Sequence, residues 1–168
     1  MYLVPDNSEG SPPAIAARLI DTMPEFAHLK DGQAQIRFLL DLQETISQGR
    51  QILGMVHIPS VQGRLKRLFD WMLAKLFHGE QLDFLITLDD VWWEAATEQQ
   101  REILIFHELC HCIQKTDKEG EPRFTEEGRP VFGLLGHDVE EFSATVRRYG
   151  AYSPEIQELV AAATVRQG

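Results

Sequence analysis

Apolar residues recur along this chain with two periods, one typical of α-helices and one typical of β-strands. Steps of three and four residues recur over residues 12–23, 60–78 and 98–114, and this spacing places apolar side chains on one face of a helix. Residues 51–58 and 84–88 are short apolar runs that end at proline or at paired aspartates, which is typical of strands. The pattern therefore predicts a mixed α+β fold with a small sheet.

The two longest helical segments each carry an apolar face. On residues 60–78 the face contains six side chains: Val61, Leu65, Leu68, Phe69, Met72 and Leu76. On residues 98–114 it contains four: Ile103, Phe106, Cys110 and Ile113. Because a surface helix buries its apolar stripe, we expect both sets to face the core.

Weaker signals assign the remaining segments. Residues 36–42 are apolar and fit either a strand or a buried helix, since periodicity does not separate the two. Proline, asparagine and glycine in residues 1–11 predict a loose arm. Residues 138–149 and 154–165 predict two closing helices, and the polar residues 115–130 predict a flexible or functional loop.

Length and composition narrow the class of protein. A chain of 168 residues with 43% hydrophobic content fits one globular domain. We expect that domain to span residues 1–168, with the arm over 1–11, a core over about 34–150 and a C-terminal helix over 153–166.

Charge and segment patterns indicate where the protein acts. The net charge of -10 argues against general nucleic-acid binding. No basic-then-apolar signal segment opens the chain, and no apolar run approaches the length of a membrane span. We therefore expect a cytoplasmic protein that does not bind membranes. Its two cysteines, Cys110 and Cys112, are interpreted as small hydrophobic residues.

The chain's clearest chemical signal is the sequence His107-Glu108-Leu109-Cys110-His111. It has the form H-E-x-x-H, in which the two histidines lie one helical turn apart and can reach one metal ion. The glutamate between them is placed to take a proton from a water. Thr97 and Gln100 form a capping box at the start of this segment, which supports its assignment as a helix.

A catalytic zinc site needs a third protein ligand beside the two histidines. His137 is the best candidate, because it directly precedes a predicted helix that Asp138 caps. Glu140 and Glu141 are alternatives, since carboxylates also bind zinc, and Glu141 also fits a partner that orients a histidine. Tyr149 is a candidate donor to a developing oxyanion, although its spacing also fits the core stripe of its helix.

Several short blocks together resemble the putative phage metallopeptidase domain, a family of bacteriophages and prophages. The blocks are Trp92-Trp93, Gln100-Arg101, the motif through Cys112, residues 137–142 and Arg148-Tyr149-Gly150. The same pattern is similar to the SprT-like metalloproteases. The resemblance covers roughly residues 34–150 and implies a zincin-like domain, with a small sheet packed on the motif helix.

The resemblance also implies roles for particular residues. His107, His111 and His137 would hold the metal, and Glu108 would act as the general base. The chain lacks the C-terminal cysteine cluster and the basic character of some SprT-like proteins, which argues against a role on DNA-protein crosslinks.

We therefore interpret the chain as a Zn²⁺-dependent peptidase that acts on a peptide or protein substrate. The alternative is a metal-containing protein that binds a host partner with little or no turnover. Glu108 favours the enzyme, because a purely structural metal site does not need a general base.

Overall fold

The computed structural model describes residues 1–139 and 143–165. Its backbone divides into two compact units, Met1–Leu135 and Gly136–Gly168. The expectation of one domain over the whole chain stays a prediction.

The first unit is built on a four-stranded sheet of order β1-β2-β6-β5. Its strands are β1 Tyr2–Leu3, β2 Ile36–Asp41, β5 Gly54–His57 and β6 Phe84–Asp89. β2 and β6 are parallel, whereas β1 and β5 pair with them in antiparallel fashion. Two small hairpin-like sheets join β3 Thr45–Ser47 to β4 Arg50–Ile52 and β7 Cys112–Gln114 to β8 Phe132–Leu134. The ambiguous segment 36–42 is thus a strand.

Five helices accompany these sheets in the described part of the first unit. They are α1 Pro12–Thr22, α2 Ala27–Asp31, α3 Lys66–Leu76, α4 Asp90–Ala95 and α5 Glu98–Cys110. The predicted mixed α+β class is confirmed by this set of helices and strands. The zincin-like arrangement stays a prediction.

The main core lies between one face of the four-stranded sheet and helices α1, α2 and α5. Successive side chains of a strand point to opposite faces, so Phe38 and Leu40 of β2 share a face with Ile86 of β6. These residues pack with Leu19 of α1 and Ile105 of α5, and all of them are buried. Burial of this kind is the dominant stabilising term in a fold of this size. It fixes α5 against the sheet.

Helix α5 begins as predicted and ends earlier than predicted. Thr97 and Gln100 form the capping box in both directions, so this prediction is confirmed. The helix ends at Cys110 with His111 as its C-cap, and residues 112–114 form β7 rather than a last helical turn. Pairing with β8 provides the reason, because it satisfies the backbone groups of residues 112–114 by long-range hydrogen bonds.

The buried face of α5 also differs from the predicted one. Leu104, Ile105 and Leu109 are buried, whereas Ile103 is 60% exposed and Cys110 is exposed. Phe106 of the predicted face packs partly buried against the core, so periodicity alone is right at this position and wrong at Ile103 and Cys110. Contact with the sheet decides which side is covered.

Helix α3 leaves its predicted core face in solvent. It begins at Lys66 after a 3₁₀ turn, and four members of the predicted face are exposed: Leu65, Leu68, Met72 and Leu76. Instead Leu73 and Phe77 pack on Leu39 and Leu85, on the other face of the sheet. That face offers only a small apolar area, so only one end of α3 is covered.

Two segments that were expected to be irregular contain β-type backbone pairing. Tyr2 and Leu3 pair with Leu40 and Asp41, because the open edge of β2 offers main-chain partners whatever the side chains are. Within the polar stretch 115–130, bridges join Thr116 to Pro122 and Phe124 to Pro130.

The second unit contains two helices in its described residues, α6 Ser143–Tyr149 and α7 Pro154–Thr164. α7 has Ser153 as N-cap and proline in its first turn, and the predicted C-terminal helix is present. α6 begins at Ser143, and residues 140–142 lie outside the described part of the chain. No helix among the described residues is both long and apolar enough to cross a bilayer.

Candidate metal centre

His107 and His111 bring their imidazole rings together at the C-terminal end of α5. Their Nε2 atoms are 3.3 Å apart, and the two rings stand nearly perpendicular at 81°. The i, i+4 spacing explains this contact, because residues four apart lie above one another on a helix. His111 keeps helical backbone angles as the C-cap, so the early end of α5 preserves the pair.

Leu135 orients the ring of His111. The His111 Nδ1 atom lies 2.6 Å from the Leu135 carbonyl oxygen, and the Leu135 amide donates to the His111 carbonyl oxygen at 2.9 Å. A carbonyl oxygen can only accept, so Nδ1 carries the proton. In the neutral ring Nε2 is then the basic nitrogen, which is the tautomer that a metal ligand requires.

The spacing of the two Nε2 atoms fits a shared zinc ion. Zinc–nitrogen bonds of about 2.0–2.1 Å at tetrahedral angles place two nitrogen ligands about 3.3–3.4 Å apart. The 3.3 Å separation of the His107 and His111 Nε2 atoms matches that edge. The donor set, neutral imidazole nitrogens, is also one that zinc prefers.

Glu108 is buried beside this pair. Glu108 is only 3% exposed. This burial raises the pKa of its carboxyl group to about 7, and the charge of His111 lowers the pKa by a smaller amount. A carboxyl group with a pKa near the working pH can both accept and return a proton, which is the property of a general acid-base group.

A glycine in β5 makes room for the Glu108 side chain. A Cβ atom added to Gly54 would collide with the Glu108 carboxylate, lying 2.7 Å from its Cδ atom and 3.0 Å from its Cγ atom. Glycine within a strand often marks the close approach of another group. Gly54 therefore sets the position of the carboxyl group relative to the sheet.

A cavity of about 410 Å³ opens beside Glu108 and His107. We call it the apolar cleft, and five apolar residues define it: Ile52, Leu53, Trp92, Ile103 and Leu104. Ile103 lies one helical turn before His107 on α5, and both line this cleft. Ile103 therefore faces the cleft and not the core.

The cysteines of the motif segment do not resemble metal ligands. Cys112 is buried, and its Sγ atom donates to the Glu108 carbonyl oxygen at 3.6 Å. Burial raises the pKa of its thiol, and the Glu108 charge raises it further. A thiol held protonated in this way does not bind zinc, which agrees with its interpretation as a hydrophobic residue.

The other predicted site residues belong to the second unit. His137 and Tyr149 are both exposed there, and Arg148 stacks its guanidinium on the Tyr149 ring. Glu140 and Glu141 lie outside the described residues. The roles of these four residues therefore stay predictions.

Comparison with known proteins assigns the family. The family model of the putative phage metallopeptidases matches residues 9–164. The chain therefore belongs to the putative phage metallopeptidase family. No curated protein and no solved structure shows a significant match to it.

Membership in the phage metallopeptidase family carries a coarse chemical meaning. A metallopeptidase is a hydrolase that needs a metal and acts on a peptide or protein, so the family agrees with the hydrolase assignment made from the motif and with the phage assignment made from the resemblance. The similarity to SprT-like metalloproteases stays a prediction.

Two residues that contact the motif were not predicted from the sequence. Gly54 carries a weak signal, since an isolated glycine inside a strand pattern suggests close backbone approach. Leu135 carries none, because it acts through its backbone carbonyl group and any residue type supplies one. Both contacts join segments that are distant along the chain.

Substitution of Gly54 by alanine tests how strictly the carboxyl group is placed. We expect Gly54→Ala to displace Glu108 and to lower peptidase turnover about 10²-fold, the usual scale for a misplacement of about 1 Å. Zinc content should persist, since the three atoms nearest to the added methyl group all belong to Glu108 and not to a histidine. Turnover and zinc content are measured together, with Met55→Ala on the opposite face of β5 as the control. Unchanged turnover in Gly54→Ala would contradict the positioning role.

Burial of Glu108 also predicts a pH dependence of stability in the metal-free protein. A folded pKa of about 7 against 4.5 in the unfolded chain means that the folded state holds the extra proton between these values. The stabilising effect of this proton is complete below about pH 4.5 and is lost as pH rises through 7. The free energy of unfolding therefore falls by about 3 kcal/mol over this range.

Chelated wild type and Glu108→Gln are therefore expected to diverge on the alkaline side. Because glutamine stays neutral, the variant should exceed wild type in free energy of unfolding by about 3 kcal/mol at pH 8, and less at pH 5. Urea unfolding across this range measures the difference, with the exposed Glu94→Gln as the control. A constant difference at every pH would show that Glu108 ionises normally.

Proposed function

We propose that this protein is a zinc-dependent peptidase with His107 and His111 as metal ligands and Glu108 as the general base. The observation that supports it best is the 3.3 Å separation of the two Nε2 atoms, which equals the edge of a tetrahedral zinc site. The protonated Nδ1 of His111 on Leu135 favours the same reading, because it leaves the basic nitrogen directed at His107.

His137 is proposed as the third ligand. Each of the three histidines offers one ring nitrogen, and three protein ligands leave the fourth zinc position for water, as catalytic sites do. Leu135, which holds His111, precedes His137 by two residues. Two residues extend the backbone by about 7 Å at most, so the chain keeps the His137 backbone within reach of the pair.

The proposed chemistry divides between the metal and Glu108. Zinc bound by the histidines would polarise the scissile carbonyl group and acidify a water. Glu108 accepts the proton of the attacking water and returns it to the nitrogen of the departing amine. Its raised pKa supports this double role, since a carboxyl group that titrates near neutral pH releases a proton as readily as it takes one.

The substrate backbone is proposed to pair with β5. This strand ends the sheet order β1-β2-β6-β5, whereas β6 pairs on both sides and cannot accept a peptide. An extended peptide can add to an open strand edge through main-chain hydrogen bonds. Gly54 at the start of β5 lies against the Glu108 carboxyl group, so a peptide on this edge passes close to the proposed base.

A peptide library tests the activity directly. The zinc-loaded protein is incubated with peptides of mixed sequence, and new termini are identified by mass spectrometry. Cleavage that a chelator abolishes and zinc restores is the expected result. Stable zinc binding without any cleavage would favour the alternative, a metal-containing protein that acts by binding.

The third ligand is tested by comparing three single variants. His137→Ala should weaken zinc binding by at least about 10-fold, because it removes one of three protein ligands. Glu140→Ala and Glu141→Ala should bind zinc nearly as wild type does. Competition with a chromophoric chelator measures all three affinities. If a glutamate variant loses zinc while His137→Ala keeps it, the site has a carboxylate ligand instead.

A further inference from the structure

We propose that the apolar cleft receives a large, uncharged side chain of the substrate directly beside the scissile bond. This inference rests on the proposed peptidase function and adds the class of residue that the enzyme selects. Glu108 and His107 line the cleft together with its five apolar residues. A peptide bond placed at Glu108 therefore has a neighbouring side chain in reach of the cleft.

The walls of the cleft are apolar on both sides. Ile52 and Leu53 come from the segment that leads into β5, and Ile103 and Leu104 come from α5. Trp92 of α4 also lines the cleft. Its volume of about 410 Å³ lies within the range of small-molecule pockets, about 300–1,000 Å³, so an aromatic or long aliphatic side chain fits.

The two amide side chains that line the cleft each make one hydrogen bond to neighbouring structure. Gln51 donates through Nε2 to the Asp89 carboxylate at 3.1 Å, and Gln100 accepts through Oε1 from the Thr97 amide at 2.9 Å. The residues that line the cleft beside these amides, His107 and Glu108 are glycine or apolar. Most of the cleft surface therefore offers no hydrogen bond to a polar substrate side chain in place of the water that it loses on entering.

The lining of the cleft holds few groups that could pair with a charged substrate side chain. Only His107 and Glu108 are ionisable among its described lining residues, and the other eight are uncharged. An uncharged apolar side chain gains by burial without needing such a partner.

Burial in such a cleft predicts strong selection. A fully buried large apolar side chain gains enough to change kcat/KM by roughly 10- to 100-fold over a small or acidic residue. Cleavage sites in a peptide library should therefore share phenylalanine, leucine, methionine or a similar residue at one fixed position next to the broken bond.

Ile103→Lys tests whether the cleft selects the substrate side chain. The measurement is a ratio of cleavage rates for two peptides, so a general loss of folding or activity in the variant does not affect it. Two peptides that differ only in phenylalanine or aspartate at the selected position are compared with one enzyme at a time. We expect the wild type to prefer phenylalanine and Ile103→Lys to lower that preference at least about 10-fold. Val91→Lys is the matched control, because Val91 is 62% exposed, much as Ile103 is at 60%, but lies outside the cleft.

A binding measurement separates this inference from the proposed activity. N-acetyl-phenylalaninamide and N-acetyl-aspartamide are titrated into the zinc-loaded protein while NMR records the Gly54 amide and the Trp92 indole. Shifts with the phenylalanine probe alone support the cleft, even if no peptide is cleaved, in which case only the peptidase proposal fails. Cleavage without apolar preference, or equal shifts with both probes, overturns the cleft assignment and leaves the peptidase standing.

Discussion

Replacement of Glu108 by glutamine is expected to lower peptidase turnover by about 10²-fold or more while zinc stays bound. Glutamine keeps the size and burial of the side chain but cannot accept a proton, so the loss reports on acid-base catalysis, which typically contributes 10²–10⁴-fold. Turnover of a cleaved library peptide and zinc by atomic absorption are measured on the same preparations. The loss should appear in kcat more than in KM, because the proton moves only in the reaction step.

The control for this experiment is Glu94→Gln, which changes an exposed carboxylate. It should leave both turnover and zinc content unchanged. Equal cleavage by wild type and Glu108→Gln would point to a contaminating protease or to a different base. Loss of zinc together with turnover would instead make Glu108 a residue that supports the metal site.

The double substitution His107→Ala and His111→Ala is expected to reduce zinc from about one ion per chain to none. Each histidine supplies one of the proposed ligands, and their nitrogens form one edge of the site. Bound zinc stabilises the folded state by about 4 kcal/mol when free zinc is 1,000 times its dissociation constant. Zinc should therefore raise the melting temperature of wild type and leave that of the double variant unchanged.

His57→Ala provides the matched control for zinc content. His57 lies in β5 and contacts the Thr87 hydroxyl group, so its removal deletes a histidine without touching the motif. It should retain one zinc per chain. Stoichiometric zinc in the double variant would mean that the metal binds elsewhere, and the assignment of the centre would be wrong.

The two experiments together separate an enzyme from a binding protein. A peptidase loses turnover in both variants and zinc only in the histidine variant. A protein that keeps a metal for stability loses thermal stability in the histidine variant and has no turnover to lose. Glu108→Gln therefore bears on catalysis, and the histidine pair bears on the metal.

The sequence alone determined the helix that carries the motif and the mixed α+β class. Thr97 and Gln100 cap α5 through contacts three residues apart, and i, i+4 spacing brings His107 to His111. Such features depend on short stretches of chain, whose geometry follows from backbone sterics and local hydrogen bonds. The family model matches residues 9–164, most of the chain.

Only the tertiary structure decided where α5 ends and which of its faces is covered. Pairing of β7 with β8 converts residues 112–114 into a strand, and the sheet covers Ile105 and Leu109 while Ile103 borders the cleft. These outcomes depend on long-range partners that compete with local helical preference. The periodicity of one helix does not contain that information.

The surroundings of the motif were likewise decided by contacts between distant segments. Gly54 lies against Glu108, 54 positions later in the chain, and the Leu135 carbonyl group orients His111. The Gly54 contact depends on the absence of a side chain, and the Leu135 contact depends on a main-chain atom. The residue type therefore predicts neither role. The motif is local because one helix builds it, whereas its orientation and its cleft depend on how the sheet and α5 pack.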